Sequence, residues 1–207
     1  MKEKPSLLII GNSNVGKSSI TRLLLPNPKQ FKGKTGKTPG STLLIKSIEQ
    51  PDLPYKIIDL PGFGYMKSSS RRREEHVKKQ IVLHIEKHHV EFFFGLVVIN
   101  ILRIEDEINK YFIQNKETIP LSFELINFLR EFNIPLLIVF NKIDKLSQFD
   151  KKKAIQIFVD SAKEFGLNVS ALNAQVPENY TPYLEFSALK KINIKELKRI
   201  IQDKIIE

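Results

Sequence analysis

The side chains of this sequence best suited to chemistry are a lysine, a serine and two aspartates. Lys17 and Ser18 stand in G-N-S-N-V-G-K-S, Asp59 in D-L-P-G, and Asp144 in N-K-I-D. Residues 11–18 fit G-x-x-x-x-G-K-[ST], a glycine-rich turn leading from a strand into a helix. Such a turn suits a polyphosphate. Its glycines let the backbone curl until successive N–H groups converge on an anion, and the helix N-terminus adds a favourable dipole. Gly11, Asn12, Ser13, Asn14, Val15 and Gly16 then form the cradle. Lys17 is expected to reach the β- and γ-phosphates, Ser18 to offer its hydroxyl to Mg2+, and Ser19 to lie within reach of the α-phosphate. The alternative, a glycine turn with a solvated lysine, requires a chance match found in roughly one of 100 chains this long, so the cradle is preferred.

Asp59-Leu60-Pro61-Gly62 ends an apolar run. An aspartate there can hold the metal through a water, and the Gly62 N–H can meet a γ-phosphate. D-x-x-G by itself is a common turn; its place after the cradle and at a strand end gives it weight. The polar stretch 27–41, rich in Lys, Gly and Pro, reads as a loop. Of Thr35, Thr38 and Thr42, Thr38 in T-P-G is the expected third protein ligand of the metal. The catalytic group on this reading is Lys17, Thr38, Gly62 and Asn14, and the metal set is Ser18, Thr38 and Asp59. Loops anchored by a γ-phosphate lose that anchor on hydrolysis, which is the logic of a switch.

Asn141-Lys142-Ile143-Asp144 follows a second apolar run. A carboxylate accepts hydrogen bonds and cannot donate them. Guanine presents N1–H and N2–H₂ on one edge, whereas adenine presents an acceptor at N1. Asp144 therefore selects guanine over adenine, by a factor on the order of 10⁴ where a site depends on such bonds. Lys142 lays its methylenes along the base, Asn141 ties this loop to the cradle, and Ser187-Ala188 can present a backbone N–H to guanine O6.

These residues need elements to hold them. Apolar runs at 6–10, 42–48, 55–60, 93–100, 135–140 and 183–186 read as strands. The second and third form an antiparallel hairpin. Helical spacing covers 18–25, 73–88, 121–132, 150–165 and 193–206, and 103–120 reads as a partly helical insertion. Strands alternating with helices imply an α/β fold, a mostly parallel sheet with helices on both faces, and one domain over 1–207. In such sheets ligands bind at the carboxyl ends of the strands, and every motif above falls at one.

Cysteine is absent, which excludes disulfides and thiolate chemistry. The formal net charge of +10 attracts polyanions, although a lysine-rich surface alone would also produce it. The longest apolar run is too short to span a membrane, and no room for a leader is expected before the first strand. His84 and His88 are spaced like metal ligands, but without further ligands they read as solvated. Glu105-Asp106-Glu107 could hold a cation, but it reads better as the start of a short helix, where negative charge suits the dipole. Arg71–Arg73 with Lys78 and Lys79 could touch RNA or simply be a solvated helix face.

The ordered set GNSNVGKSS, TPGST, DLPGFGY, NKID and FSA resembles the EngB (YihA/YsxC) family of translation-factor-related GTPases over nearly the whole chain. The longer segment at 103–120 looks like its archaeal branch. The resemblance implies a three-layer Ras-like P-loop domain with a six-stranded sheet, GTP and GDP as ligands with Mg2+, and a cytoplasmic switch in large ribosomal subunit assembly. It implies ribosomal RNA or the large subunit as partner, no DNA, and a monomer. Two alternatives stay open: a non-catalytic GTP-sensing scaffold, and a GTPase of tRNA modification or of membranes. Asn14 matches the position that helps hold K+ in related GTPases; its alternative role is to stabilise the loop. Asn100 stands where aspartate is usual, and Asn12 where arginine is common. Phe63 replaces the water-orienting glutamine of Ras-like proteins, so turnover without a partner is expected on the order of 10⁻⁴ to 10⁻³ per second.

Overall fold

The computed structural model describes residues 4–30, 45–62, 71–110, 119–172, 177 and 179–206. Among these, seven strands form one sheet: β1 (Ser6–Ile10), β2 (Lys46–Ile48), β3 (Lys56–Asp59), β4 (Phe92–Asn100), β5 (Leu136–Asn141), β6 (Asn168–Ala171) and β7 (Tyr180–Phe186). Their order is β2-β3-β1-β4-β5-β7-β6. Only β2 with β3 is antiparallel; every other pair is parallel. The helices are α1 (Lys17–Leu24), α2 (Arg71–His88), α3 (Ile104–Ile108), α4 (Leu121–Glu131), α5 (Gln148–Glu164) and α6 (Ile194–Ile206).

Strands β1, β3 and β5 are buried at every position, and β4 at all but one. That is why they read as unbroken apolar runs: both faces of a parallel sheet are covered. On one face Leu8, Ile58 and Ile138 pack with Ile81 of α2, Phe123 of α4 and Phe158 of α5. On the other, Leu7, Ile9 and Val139 pack with Ile20 of α1 and Leu197 of α6. The result is the expected three-layer α/β P-loop fold.

The sheet has seven strands where six were expected. The extra one, β6, lies parallel to β7 at the sheet edge, with Asn168 opposite Tyr180. Its sequence, N-V-S-A, holds one fully buried apolar residue, Val169, and so lacks the signature of the central strands. Strand β7 also starts three residues earlier than the apolar pattern suggests, because Tyr180 to Pro182 pair with β6.

The hairpin is present as β2 and β3, with Lys46 opposite Asp59; residues 42–44 lie outside the described residues. The 103–120 insertion begins with a 3-10 turn (Ile101–Arg103) and α3; residues 111–118 lie outside. Thr35, Thr38, Thr42 and Phe63 also lie outside the described residues, as do the side chains of Arg71–Arg73. His84 is only partly solvated, where a solvated side chain was expected. It continues the inward stripe of Val77 and Ile81, its ring lies 4.6 Å from that of His88, and its Nε2 is buried. His88 Nδ1 is held by Glu91 at 2.6 Å, and no group of three metal-ligating residues occurs among the described residues.

The parallel register brings the carboxyl ends of the strands to one edge, with β4 running three residues past the end of β1. Ile9 of β1 faces Asp59, Ile10 faces Val97, and Asn100 faces Asn141, which in turn faces Phe186. Cradle, aspartate and base-reading loop thus emerge along one edge of the sheet.

Candidate functional site

The turn after β1 enters α1 through Gly16, at φ 106° and ψ 19°. This left-handed geometry excludes most side chains, and contact excludes the rest: a Cβ there would lie 2.2 Å from Asn141 Nδ2. No side chain caps α1 and no acid occupies its first turn, so its N-terminus presents backbone N–H groups and a positive dipole end.

Lys17 is buried. Its ammonium donates to the carbonyls of Gly11 and Asn12, each at 2.9 Å. Burial pushes its pKa down to about 8, against an upward pull from Asp59. Asp59 is buried too, and burial raises its pKa despite Lys17, Lys46 and the Ser18 hydroxyl. An isolated ion pair would shift both groups the other way, so desolvation dominates here. Ser18 Oγ lies 3.5 Å from Asp59 Oδ2, while the buried Oδ1 has no hydrogen-bond partner. A hydroxyl beside a buried, half-satisfied carboxylate is a donor set suited to a hard divalent cation. The donors fit Mg2+.

Gly62 follows two residues after β3's end loop begins and touches the cradle. A Cβ on Gly62 would lie 2.7 Å from both the Cα and the Oγ of Ser13. The D-x-x-G glycine is therefore fixed by close approach of the two loops. Asn14 has φ 62° and is exposed; its carbonyl accepts a 2.7 Å hydrogen bond from Lys142 Nζ. Lys142 itself is left-handed, at φ 73°, and its pKa is lowered by burial first and by Arg103 second.

Asn141 joins three loops through one amide. Its Nδ2 donates to Val15 O at 2.7 Å, and its Oδ1 accepts from the N–H groups of Lys142 at 2.8 Å and Ala188 at 3.0 Å. Of the Ser187-Ala188 pair expected to present a backbone N–H to guanine O6, the Ala188 N–H is engaged with Asn141 here and the Ser187 N–H with Ile192 O at 3.4 Å. Asp144 Oδ1 accepts from Ser187 Oγ at 2.6 Å, which orients the carboxylate and leaves its other oxygen without a protein partner among the described residues. Ser187 Oγ in turn accepts from Lys190 N at 3.0 Å.

Of the expected residues, Gly11 to Ser19, Asp59, Gly62, Asn141, Lys142, Asp144, Ser187 and Ala188 lie along one sheet edge, while Thr38 falls outside the described residues. Sequence reasoning missed Glu107, whose carboxylate receives Asn12 Nδ2 at 3.4 Å. It stands 95 residues away in an acidic trio that resembles any helix start.

Residues 6–142 match the family model described as "50S ribosome-binding GTPase". A protein of Methanosarcina barkeri named "Probable GTP-binding protein EngB" is 30% identical over 97% of this chain and 88% of its own length. The protein of that name in Methanococcus aeolicus is 30% identical over 77% of this chain and 66% of its own length. A crystal structure of a probable GTP-binding protein engB superposes with a TM-score of 0.74 at 26% identity, covering 97% of this chain and 98% of that one.

Proposed function

The chain belongs to the EngB family of GTP-binding proteins, which are GTPases, and from that premise we propose that it is a nucleotide-dependent switch in large ribosomal subunit assembly. The observation that carries the nucleotide part is the Asn141 amide. It links the cradle at Val15, the base loop at Lys142 and the last strand's end at Ala188, so phosphate and base contacts are held in one frame. The family description and the +10 charge support the ribosomal part.

On this reading the cradle N–H groups, Lys17 and the α1 N-terminus bind the triphosphate, and Asp144 selects guanine. Ser18 and Asp59, joined by Thr38, would hold Mg2+, which would supply positive charge to offset that of the triphosphate. Water attacks the γ-phosphorus, the bond to the bridging oxygen breaks, and GDP and phosphate leave. Lys17 neutralises charge that grows on the leaving oxygen. Phe63 offers no hydrogen bond to orient the water, so the isolated protein turns over slowly, on the order of 10⁻⁴ to 10⁻³ per second. Asn14 is exposed in the cradle loop, and its side-chain amide is uncommitted among the described residues. A monovalent cation such as K+ held there would supply charge in place of an arginine. We place the protein in the cytoplasm as a monomer with ribosomal RNA or the large subunit as partner; no described helix is long and apolar enough to cross a membrane.

Competition of GTP and ATP against a fluorescent GDP tests the site: GTP displaces it at concentrations orders of magnitude below ATP. Equal displacement would overturn the assignment. Co-sedimentation with large subunits in a GTP analogue, lost in GDP, tests the ribosomal part. Hydrolysis compared in KCl and NaCl tests Asn14, with equal rates excluding the cation.

A further inference from the structure

Beside the cradle lies a pocket of about 270 Å³, lined by Asn12, Ser13, Asn100, Arg103, Glu107 and Ser122 among others. Gly11 is packed tightly against Val98, where a Cβ would lie 2.2 Å from the carbonyl oxygen, whereas Asn12 and Ser13 border the pocket. A loop that must hold its N–H groups in a fixed array gains rigidity from contacts on that side. Among the described residues Asn12 makes such a contact: its Nδ2 donates to Glu107 Oε2 at 3.4 Å.

Glu107 is itself firmly held. Its other oxygen, Oε1, accepts from the backbone N–H of Ser122 at 2.9 Å and from the Ser122 hydroxyl. Ser122 lies in the first turn of α4, whose N-cap position is Pro120 and has no side-chain cap. The first N–H groups of a helix lack intrahelical partners, and a carboxylate satisfies both that need and the helix dipole. Glu107 is thus a remote cap for α4 with one oxygen, which leaves the second oxygen fixed in space to receive Asn12. Charge-assisted bonds of this kind are stronger than neutral ones.

We propose that Glu107 is a positioning residue for the phosphate cradle: clamped by the N-terminus of α4, it holds Asn12 across the cavity and so sets the cradle's affinity for the nucleotide phosphates. This rests on the reading of residues 11–18 as that cradle. It also gives Asn12 a partner at the place where the resemblance leads one to expect arginine, and gives the 103–120 insertion a role in the site.

The test measures release of fluorescent GDP and GTP analogues by stopped flow, with thermal unfolding alongside. Glu107→Ala and Asn12→Ala each speed release about three- to tenfold, and the double variant is no faster than the faster single one, because both remove the same contact. Ser122→Ala loses one of the two bonds that clamp Glu107 and keeps the backbone one, so it speeds release less than Glu107→Ala does. Glu107→Gln keeps the side chain's volume and an acceptor for Ser122; it guards against misfolding of the alanine variant and speeds release in the same direction. Release at the parental rate from folded Glu107→Gln or Glu107→Ala overturns the inference, as does a Ser122→Ala variant that matches Glu107→Ala in both readouts. Failure of the parent protein itself to bind guanine nucleotides would instead overturn the cradle reading.

Discussion

At the scale of the residue, Lys17 shows what the cradle costs without a ligand. The residue is 7% exposed, and among the described residues its ammonium has two carbonyls and the Asp59 carboxylate to replace water. Its pKa falls to about 8 in the fold, against 10.5 when solvated. Below pH 8 both folded and unfolded chains carry the proton, so burying the charge costs stability by an amount on the order of 3 kcal/mol. Between pH 8 and 10.5 the unfolded chain binds more protons than the folded one, and stability rises with pH through that window. Lys17→Met removes the penalty. The nucleotide-free variant is expected to be more stable than the parent at pH 7, by about 1–3 kcal/mol after loss of the two hydrogen bonds, with the gap narrowing up to pH 10.5. Urea melts at a series of pH values measure it. A variant less stable at every pH would show that Lys17 is satisfied rather than strained by its burial. The same substitution should abolish stabilisation by added GTP, since a ligand stabilises only the fold that binds it.

The element scale explains what could be read in advance. Parallel central strands announce themselves because burial on both faces demands unbroken apolar runs, as in L-L-I-I before Gly11 and L-L-I-V-F before Asn141. Their ends were legible because the loops after them need special residues: Gly16 cannot carry a side chain against Asn141, nor Gly62 against Ser13. Strand β6 was not legible, since an edge strand of N-V-S-A owes its place to backbone pairing with β7 rather than to burial. Glu107 was not legible either, because its partners Asn12 and Ser122 are set by tertiary packing and leave no local pattern. Ser147 is the cap that links element to site. It accepts from Asp150 N at 3.1 Å and donates to Asp150 Oδ2 at 2.7 Å, starting α5 three residues after Asp144. Ser147→Ala should cost about 1 kcal/mol in chemical denaturation. It should also weaken guanine nucleotide binding by a few-fold, because a frayed α5 loosens the loop that carries Asp144. Loss of stability with unchanged affinity would show that the loop is held by Asn141 and Ser187 alone.

For the whole molecule, charge is the property that bears on a partner. The net charge is +10, and Lys145, Lys190 and Lys191 stand exposed at the carboxyl edge of the sheet. Lys190 and Lys191 follow Ser187-Ala188 after Leu189, in a turn where Ser187 pairs with Ile192. On the proposed ribosomal reading, these lysines displace counterions from RNA phosphates. Each such contact contributes roughly −0.7 to −0.9 to the slope of log affinity against log salt. Binding to large subunits in a GTP analogue should therefore fall steeply between about 50 and 200 mM salt, and Lys190→Glu with Lys191→Glu should weaken it several-fold and flatten the slope by about 2. Guanine nucleotide affinity should hardly move, because neither side chain takes part in the hydrogen bonds that orient Asp144 and Asn141. A slope unchanged by the double reversal would place the RNA contact on another face, with exposed Lys78 and Lys79 of α2 the next to reverse. Salt-insensitive association would instead mean that the partner is gripped by packing, and that the protein's positive charge is incidental to its binding.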